Sequence, residues 1–400
     1  PFSSISQART PPTYSRSMTP HSARSRAPLA AAFLTCWAWA AAAADPDAKF
    51  QIDGVLREMA EACVAGDATA YIAHVARGDR EFLNEQKYFA NDLTTKPAKE
   101  CEFTITDLEM GDGTAQGPLT MAWTMPERKP RSLTFNARFV NESDTWKYAG
   151  EVWEKHESPG ALVLCAPGLA DLAERVVTAF GEVRAHVEDG FMLADKDLPR
   201  RTQKIKLYGT MKHLQASICL SYSDGLSGWN EPGESIKLLC GKNSGIASLR
   251  SLLAHEYGHV ATFELGPDSN KMPWWLLEGV ADLSAERWNG SADGIVKAWA
   301  AAGRLAPWEA IGDFTAVEPK WRSHVYKQGH HLLGYVSDTY GREKRVRWMT
   351  LMSNGESLDR ATRDALGLSF EQLDVAWRAT LPIRDEPAMQ PPKPTEHPGT

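Results

Sequence analysis

The sequence has few cysteines and no long run of basic residues. Its six cysteines in 400 residues include no Cys-x-x-Cys pair, which argues against a zinc knuckle and a thioredoxin-type redox motif. Asp and Glu number 51 against 44 Lys and Arg, giving a net charge of -7. The sequence therefore lacks the clustered positive charge that is typical of nucleic-acid-binding proteins, and we expect no nucleic-acid partner.

Apolar residues, by contrast, are abundant. They make up 43% of the chain and include 14 tryptophans, a composition that excludes the disordered, collagenous and low-complexity classes. A chain of 400 residues is also longer than one compact core usually takes. We therefore expect a folded protein of about two or three domains.

The first 44 residues contain four arginines and no acidic residue. Two of the arginines precede an apolar run over residues 27–44 that ends in a series of alanines, a pattern typical of a secretory signal peptide. We predict an upstream segment and signal peptide over residues 1–44, starting at Met18 and cleaved after Ala44. The protein would then be exported, periplasmic or secreted, in a bacterium, with no stable membrane span. A retained anchor is the alternative, because the run is about as long as a bilayer span.

Export would permit disulfide bonds between the five cysteines that follow the leader. The pairing that stays within each predicted domain joins Cys63 to Cys101 and Cys219 to Cys240, and leaves Cys165 unpaired. The alternative is that several of these cysteines are buried free thiols.

Residues 45–158 are predicted to form a smaller α+β domain. Apolar residues recur at helical spacing over residues 52–75, with a break at Gly66. After a polar loop the period changes to two, and turns separate apolar runs over residues 103–152, which indicates an antiparallel meander. Helices followed by a curled sheet resemble the cystatin-like or nuclear-transport-factor-2-like cone.

Residues 159–383 are predicted to form a second domain, and residues 384–400 a disordered, proline-rich tail. The second domain begins with a helical pattern over residues 169–186, and helices dominate its later part. Strand-like runs lie between them, at residues 204–208, 217–222 and 235–240.

The motif His-Glu-x-x-His occurs at residues 255–259, within a segment of helical apolar spacing. Positions i and i+4 share one face of a helix, so His255 and His259 can bind one metal ion. Two imidazoles with a carboxylate and an open position match a catalytic zinc site, and we predict one Zn²⁺ ion. Glu256 lies beside this site, where the general base for an activated water is needed.

A third metal ligand is predicted at Glu278, nineteen residues after His259. Pro273 is suited to the start of a new helix that carries this glutamate, and a helix-loop-helix arrangement would bring its carboxylate to the two histidines. Asp282 follows one turn later on the same face, where it could accept the second ring N–H of a ligating histidine.

With these residues, the sequence resembles the gluzincin metallopeptidases of the MA clan, which include thermolysin-like enzymes and zinc aminopeptidases. The matching pieces are the His-Glu-x-x-His motif at residues 255–259, the interval of eighteen residues between His259 and Glu278, and Trp-Leu-Leu-Glu-Gly-Val-Ala-Asp at residues 275–282. The strand predicted at residues 235–240 is similar to the substrate-aligning edge strand of that family. The resemblance implies a zincin-like catalytic domain within an α+β fold, with a small sheet and active-site helix followed by a helical subdomain.

The resemblance also implies peptide-bond hydrolysis, in which Glu256 transfers a proton and a nearby donor stabilises the oxyanion. Tyr326 is the predicted donor, with His324 and His330 as alternatives. The Gly-x-Met-Glu-Asn signature of the aminopeptidases is absent, so the prediction is an exported zinc endopeptidase acting on a peptide or protein. The alternative function is a catalytically inactive, zinc-containing binding or envelope protein.

Overall fold

The computed structural model of the protein describes residues 46–193, 201–221 and 226–382. The predicted signal peptide at residues 1–44 and the predicted tail at residues 384–400 lie outside these residues. Among the described residues, no helix combines the length and apolar character needed to cross a bilayer. The architecture is mixed, with a curled antiparallel sheet, a second sheet and a helical C-terminal part, and is compatible with the predicted α+β class.

The chain begins with the helices α1 (Pro46–Ala65), α2 (Ala68–Ala73) and α3 (Arg80–Thr95). The predicted break at Gly66 is confirmed, and this glycine adopts a φ of +68° that other residues rarely tolerate. Helix α3 lies where the sequence predicted a polar loop. Asp79 begins it, because its carboxylate accepts hydrogen bonds from the backbone N–H groups of Glu81 and Phe82.

The first sheet is the predicted antiparallel meander. Strand β3 pairs with β1 and β4, β4 also pairs with β5, and the short β2 pairs with β3. A bulge between Ala137 and Phe139 shifts the register of β4, and such bulges bend a strand. The sheet packs on α1 and α3 around a core that includes Leu56, Met59 and Phe139. The strands are β1 (Glu100–Ile105), β2 (Glu109–Gly111), β3 (Thr114–Thr124), β4 (Arg131–Glu142) and β5 (Thr145–Glu151).

The second sheet has the strand order β6-β7-β8-β10-β9, with β8 parallel to both β7 and β10. Strands β6 and β7 form an antiparallel hairpin, and the predicted domain boundary between residues 158 and 159 falls inside it. Residues 154–158 therefore belong to the second sheet rather than to the first part of the chain. The strands are β6 (Glu154–Ser158), β7 (Ala161–Cys165), β8 (Gln203–Tyr208), β9 (Gly228–Trp229) and β10 (Ile236–Leu239).

Two helices lie between these strands in sequence, α4 (Ala170–Gly190) and α5 (Met211–Ile218). The strand predicted at residues 217–222 is wrong, because residues 217–218 end α5 and residues 219–221 form no strand. Residue 222 lies outside the described residues. The Thr210 hydroxyl accepts a hydrogen bond from the backbone N–H of His213 and starts this helix. Leu214 and Ile218, one turn apart, then pack against Tyr208 of β8.

Helices form the rest of the described chain. Three buried tryptophans, Trp275, Trp348 and Trp377, lie in the core that these helices share with α4 and the second sheet. The helices are α6 (Ile246–Phe263), α7 (Trp274–Asn289), α8 (Asp293–Ala301), α9 (Arg322–Tyr340), α10 (Arg342–Ser353), α11 (Leu358–Leu366) and α12 (Phe370–Arg378).

The five described cysteines are all free thiols, so the predicted disulfide pairs are not formed. Cys63 and Cys101 are hydrogen-bonding neighbours, and this contact and burial raise the pKa of Cys63. The Cys219 thiol donates a hydrogen bond to Asp92 of α3 instead of bonding to Cys240. The alternative prediction of buried thiols describes four of the five, since only Cys101 is partly exposed.

A buried charge cluster joins α3 to the second sheet. We use this name for Glu85, Lys206, Ser235, Glu234 and Lys237. The Glu85 carboxylate accepts hydrogen bonds from Lys206 Nζ and from both the hydroxyl and the backbone N–H of Ser235. Lys237 Nζ lies 2.8 Å from a carboxylate oxygen of Glu234. All five residues are buried, and each of these contacts pairs an acceptor with a donor, as burial of charge requires.

Candidate metal centre

Helix α6 places His255 and His259 one turn apart on the same face. Their ring centroids lie 5.0 Å from each other, as the i,i+4 spacing predicts. Leu249, Leu253 and Ala254 are fully buried on other faces of this helix and join the core shared with α4 and α7. Packing of these apolar residues therefore fixes the direction in which the two imidazoles project.

Helix α7 brings Glu278 to the two histidines. Glu278 Oε2 lies 3.2 Å from His255 Nε2 and 3.6 Å from His259 Nε2, and the ligand atoms of all three residues lie within 4.8 Å of one another. Zinc–ligand bonds of about 2.0–2.1 Å in a tetrahedron would separate neighbouring ligand atoms by about 3.3 Å. The side chains present therefore fit a zinc ion without rearrangement of the helices.

Asp282 forms a hydrogen bond with Nδ1 of His255, the ring nitrogen that does not face Glu278. Its Oδ1 lies 3.1 Å from His255 Nδ1, and its Oδ2 accepts a hydrogen bond of 2.8 Å from Lys327 Nζ of α9. An ionised carboxylate only accepts hydrogen bonds, so Nδ1 of His255 carries a proton. In the neutral, metal-binding form of this ring the lone pair is therefore on Nε2, the nitrogen that faces Glu278. Lys327 was not predicted, because no local spacing relates it to residues 255–282.

Trp274 contributes a hydrogen bond as well as apolar surface. Its Nε1–H donates to Glu278 Oε1 over 2.9 Å, which leaves Glu278 Oε2 directed toward the histidines. Trp274 was not among the predicted site residues, because an indole one turn before a carboxylate gives no local sign of this bond.

Glu256 is 5% exposed and lies beside the two histidines on the wall of a cleft. Burial raises the pKa of its carboxyl group, and the neighbouring His255 and His259 only partly oppose this effect. Gly228 of β9 packs directly against it, since a Cβ atom at this glycine would lie 2.1 Å from Glu256 Oε1. Only a glycine lets β9 run this close to the carboxylate.

Of the three predicted oxyanion donors, Tyr326 alone lines the cleft. Its ring centroid lies 6.2 Å from that of His255. Burial raises the pKa of Tyr326, and the negative charges of nearby Glu278 and Asp282 add to this rise, so its hydroxyl keeps the proton needed for donation. His324 instead makes a 2.9 Å hydrogen bond from Nε2 to the carbonyl of Arg304.

His330, the other alternative to Tyr326, is 2% exposed, and its Nε2 lies 3.5 Å from Glu286 Oε1. It lies one turn after Tyr326 on α9, contacts Glu286 of α7 and is not part of the cleft wall.

A close crossing of α7 and α9 sets the position of Tyr326 and Lys327. A Cβ atom at Gly279 would lie 2.5 Å from the backbone of Gly329, and one at Gly329 would lie 2.0 Å from the carbonyl oxygen of Trp275. The two backbones therefore touch, and any side chain at either glycine would force them apart.

The cleft beside the three predicted ligands has a volume of about 890 Å³. Strand β9 forms part of its wall and is the last strand of the second sheet, whereas β10 lies between β8 and β9. The expectation that residues 235–240 form the edge strand is therefore wrong, and the edge belongs to Gly228–Trp229. The short β9 was not predicted from sequence.

No family model and no curated protein matches the chain. Among solved structures, the crystal structure of the M1 zinc metallopeptidase from Deinococcus radiodurans is similar at 16% sequence identity and a TM-score of 0.34. The match covers 72% of this chain and 64% of that one, so the chain spans less than two thirds of that protein's length. A TM-score of this size does not establish a common fold.

Proposed function

We propose that this protein is an exported zinc-dependent endopeptidase of the gluzincin type, with a zincin-like catalytic part. The observation that carries the proposal is the convergence of His255 Nε2, His259 Nε2 and Glu278 Oε2 within 4.8 Å, with Glu256 beside them on the wall of a cleft. Two imidazoles and one carboxylate are the donor set of a catalytic zinc site.

His255, His259 and Glu278 would hold the ion, while Asp282 and Trp274 orient two of these ligands through the hydrogen bonds at 3.1 and 2.9 Å. Bound zinc supplies a Lewis acid that polarises a carbonyl and lowers the pKa of water.

Glu256 is the proposed general base. Its raised pKa suits a carboxylate that accepts a proton from water and then delivers it to the departing amine. Tyr326 is the proposed hydrogen-bond donor to the developing negative charge on the scissile carbonyl, since its hydroxyl remains protonated in the cleft.

The proposed substrate is an extended peptide or protein segment. Strand β9 ends the second sheet at the cleft, and an edge strand can hydrogen-bond to a peptide backbone that adds to the sheet. Such binding selects for an extended backbone and accepts many side chains, as a general endopeptidase requires.

Replacement of Glu256 by Gln tests the proposal. The Glu256→Gln variant should keep the zinc content of the parent and lose at least about 100-fold in casein cleavage, because general acid–base catalysis contributes about 10²–10⁴-fold. Glu264→Gln is the matched control, since Glu264 ends the same helix and is exposed, and it should cleave normally.

Undiminished cleavage by Glu256→Gln would overturn the assigned mechanism. A parent chain that binds zinc at His255 and His259 yet cleaves no peptide in a library would instead support the catalytically inactive binding protein. Sequencing of the N-terminus of the exported chain tests the leader, with Asp45 expected as the first residue.

A further inference from the structure

A second group of metal-ligating side chains lies on the β6–β7 hairpin. Glu154 and Cys165 are directly paired across the hairpin, and His156 is two residues along from Glu154 on the same strand. Alternate residues of a strand face the same side, so these three side chains share one face of the hairpin.

The three side chains converge. One carboxylate oxygen of Glu154, one ring nitrogen of His156 and the sulfur of Cys165 all lie within 4.8 Å of one another. Cys165 is fully buried, whereas His156 is half-buried and Glu154 is exposed. The group therefore has a sulfur ligand at its floor and an open side through which an ion and a water molecule can enter.

The register of the hairpin holds this arrangement in place. Pairing continues over five residues of each strand, from Glu154 with Cys165 to Ser158 with Ala161, and β7 is also paired with β8 on its other side. The ligands are therefore carried by a fixed sheet, which limits the ordering that metal binding would require.

We propose that Glu154, His156 and Cys165 form a second metal site, independent of the site at His255, for a borderline-soft divalent transition metal such as Zn²⁺. Thiolate and imidazole ligands favour such ions over Mg²⁺ and Ca²⁺, which prefer oxygen. On binding, the metal–sulfur bond replaces the S–H bond of Cys165 and the proton passes to solvent, with no change of oxidation state. A water molecule completes four-coordination on the exposed side.

Cobalt is a suitable probe, because a thiolate bound to Co²⁺ gives an intense near-ultraviolet charge-transfer band that nitrogen and oxygen ligands do not give. The full chain, stripped of metal by a chelator, is titrated with Co²⁺ while absorbance and bound metal are measured. We expect two equivalents of Co²⁺ and a thiolate band that belongs to one of them.

Three variants separate the two sites. Cys165→Ser should lose the band and one equivalent, and His156→Ala should weaken or lose the same equivalent without replacing a fully buried side chain. His259→Ala should lose the other equivalent and keep the band. Cys101→Ser, which removes a partly exposed cysteine outside the group, is the control and should retain both.

Absence of the band in a folded parent chain, or a band that survives in Cys165→Ser, would overturn the proposal. A folded His156→Ala variant that binds two equivalents with the parent's spectrum would overturn it as well, even if Cys165→Ser does not fold.

Discussion

Glu85 in the buried charge cluster is buried, whereas Glu278 in the candidate metal centre is half-buried at the cleft. Both carboxylates lie beside nitrogen-containing side chains, but different groups neutralise them. Burial tends to raise the pKa of Glu85, yet the charges of Lys206 and Lys237 lower it to about 2. Burial acts on Glu278 in the same way, and His259 and His255 hold its pKa below the usual range.

The difference lies in what each nitrogen partner can do. Lysine is charged at neutral pH, so the cluster around Glu85 is neutralised within the chain and needs no ligand. Histidine binds a metal only in its neutral form. When His255 and His259 are neutral, only a cation bound from solution would neutralise the charge of Glu278 within this group. The cleft of about 890 Å³ beside Glu278 gives such a cation access. A carboxylate beside nitrogen-containing side chains therefore has a structural role at Glu85 and the proposed ligand-binding role at Glu278.

The largest expected effect comes from removing the charge of Glu278. The Glu278→Gln variant should lose one equivalent of zinc per chain and all casein cleavage, because an amide is a much poorer zinc ligand than a carboxylate. Metal analysis of the purified variant checks this. Glu286→Gln, two turns later on α7, is the control and should bind as the parent does. Unchanged zinc content in Glu278→Gln would mean that this carboxylate is structural, like Glu85.

The corresponding change at Glu85 should act on stability instead. Glu85→Gln leaves Lys206 buried without its counter-charge, and breaking a buried ion pair costs about 3–5 kcal/mol of unfolding free energy. Urea denaturation measures this loss, while zinc content should stay the same. Glu61→Gln on α1 is exposed and should change stability by less than about 0.5 kcal/mol. A loss of zinc in Glu85→Gln would break the distinction between the two regions.

The pH dependence of stability gives a second test of the structural role of Glu85. The folded-state pKa of Glu85 is lowered from 4.5 to about 2, so folding favours its ionised form. The stabilisation is complete above the unfolded-state pKa and is lost as the pH falls through the folded-state value. The stability difference between the parent and Glu85→Gln should therefore shrink between about pH 5 and pH 2. A difference that stays constant over this range would contradict the assigned role.

A smaller effect is expected where helix packing, rather than charge, supports the metal centre. Gly329→Ala should destabilise the protein by about 1–3 kcal/mol, because a methyl group has no room between α7 and α9. Gly334→Ala on the same helix meets no atom within 4 Å and should instead stabilise it by about 0.5–1 kcal/mol. Thermal unfolding of both variants measures the contrast, and equal behaviour would rule out the close crossing.

The smallest expected effect is at Asp282, which contacts the proposed ligand His255 but is not itself a proposed ligand. Asp282→Asn should weaken zinc binding by about 10–100-fold, since it alters the hydrogen bond that orients His255. Competition with a chelator of known affinity measures the change. Asp338→Asn on α9 is exposed and serves as the control. Parent-like affinity in Asp282→Asn would show that helix α6 alone fixes the imidazole.

The grouping of the predicted metal ligands could be anticipated from sequence because it depends on helix geometry and a short connection. The i,i+4 spacing of His255 and His259 fixes one face, and Glu278 lies on the next long helix. Lys327 and the crossing at Gly279 and Gly329 depend on how α9 packs on α7, and no local period encodes that packing.

The errors in the predicted secondary structure have similar causes. Helix α3 was missed because the polar residues Glu85 and Gln86 occupy buried positions on its inner face and interrupt the apolar pattern. The end of α5 was predicted as a strand because a short, mostly apolar run fits either period. The predicted boundary between residues 158 and 159 falls inside the β6–β7 hairpin, since a Pro-Gly turn is as typical of a hairpin as of a linker.

The contacts of Glu85 with Lys206 and Ser235 limit how the two parts of the chain can be recombined in evolution. A fragment beginning at residue 159 would carry Lys206 into its interior without the counter-charge that α3 provides. Ser235, directly before β10, would lose the acceptor of its hydrogen bonds. Genetic exchange that replaced the first part of the gene with an unrelated module would disrupt the sheet that borders the cleft. We expect the two parts to descend together through evolution, with Glu85 and Lys206 changing only as a pair.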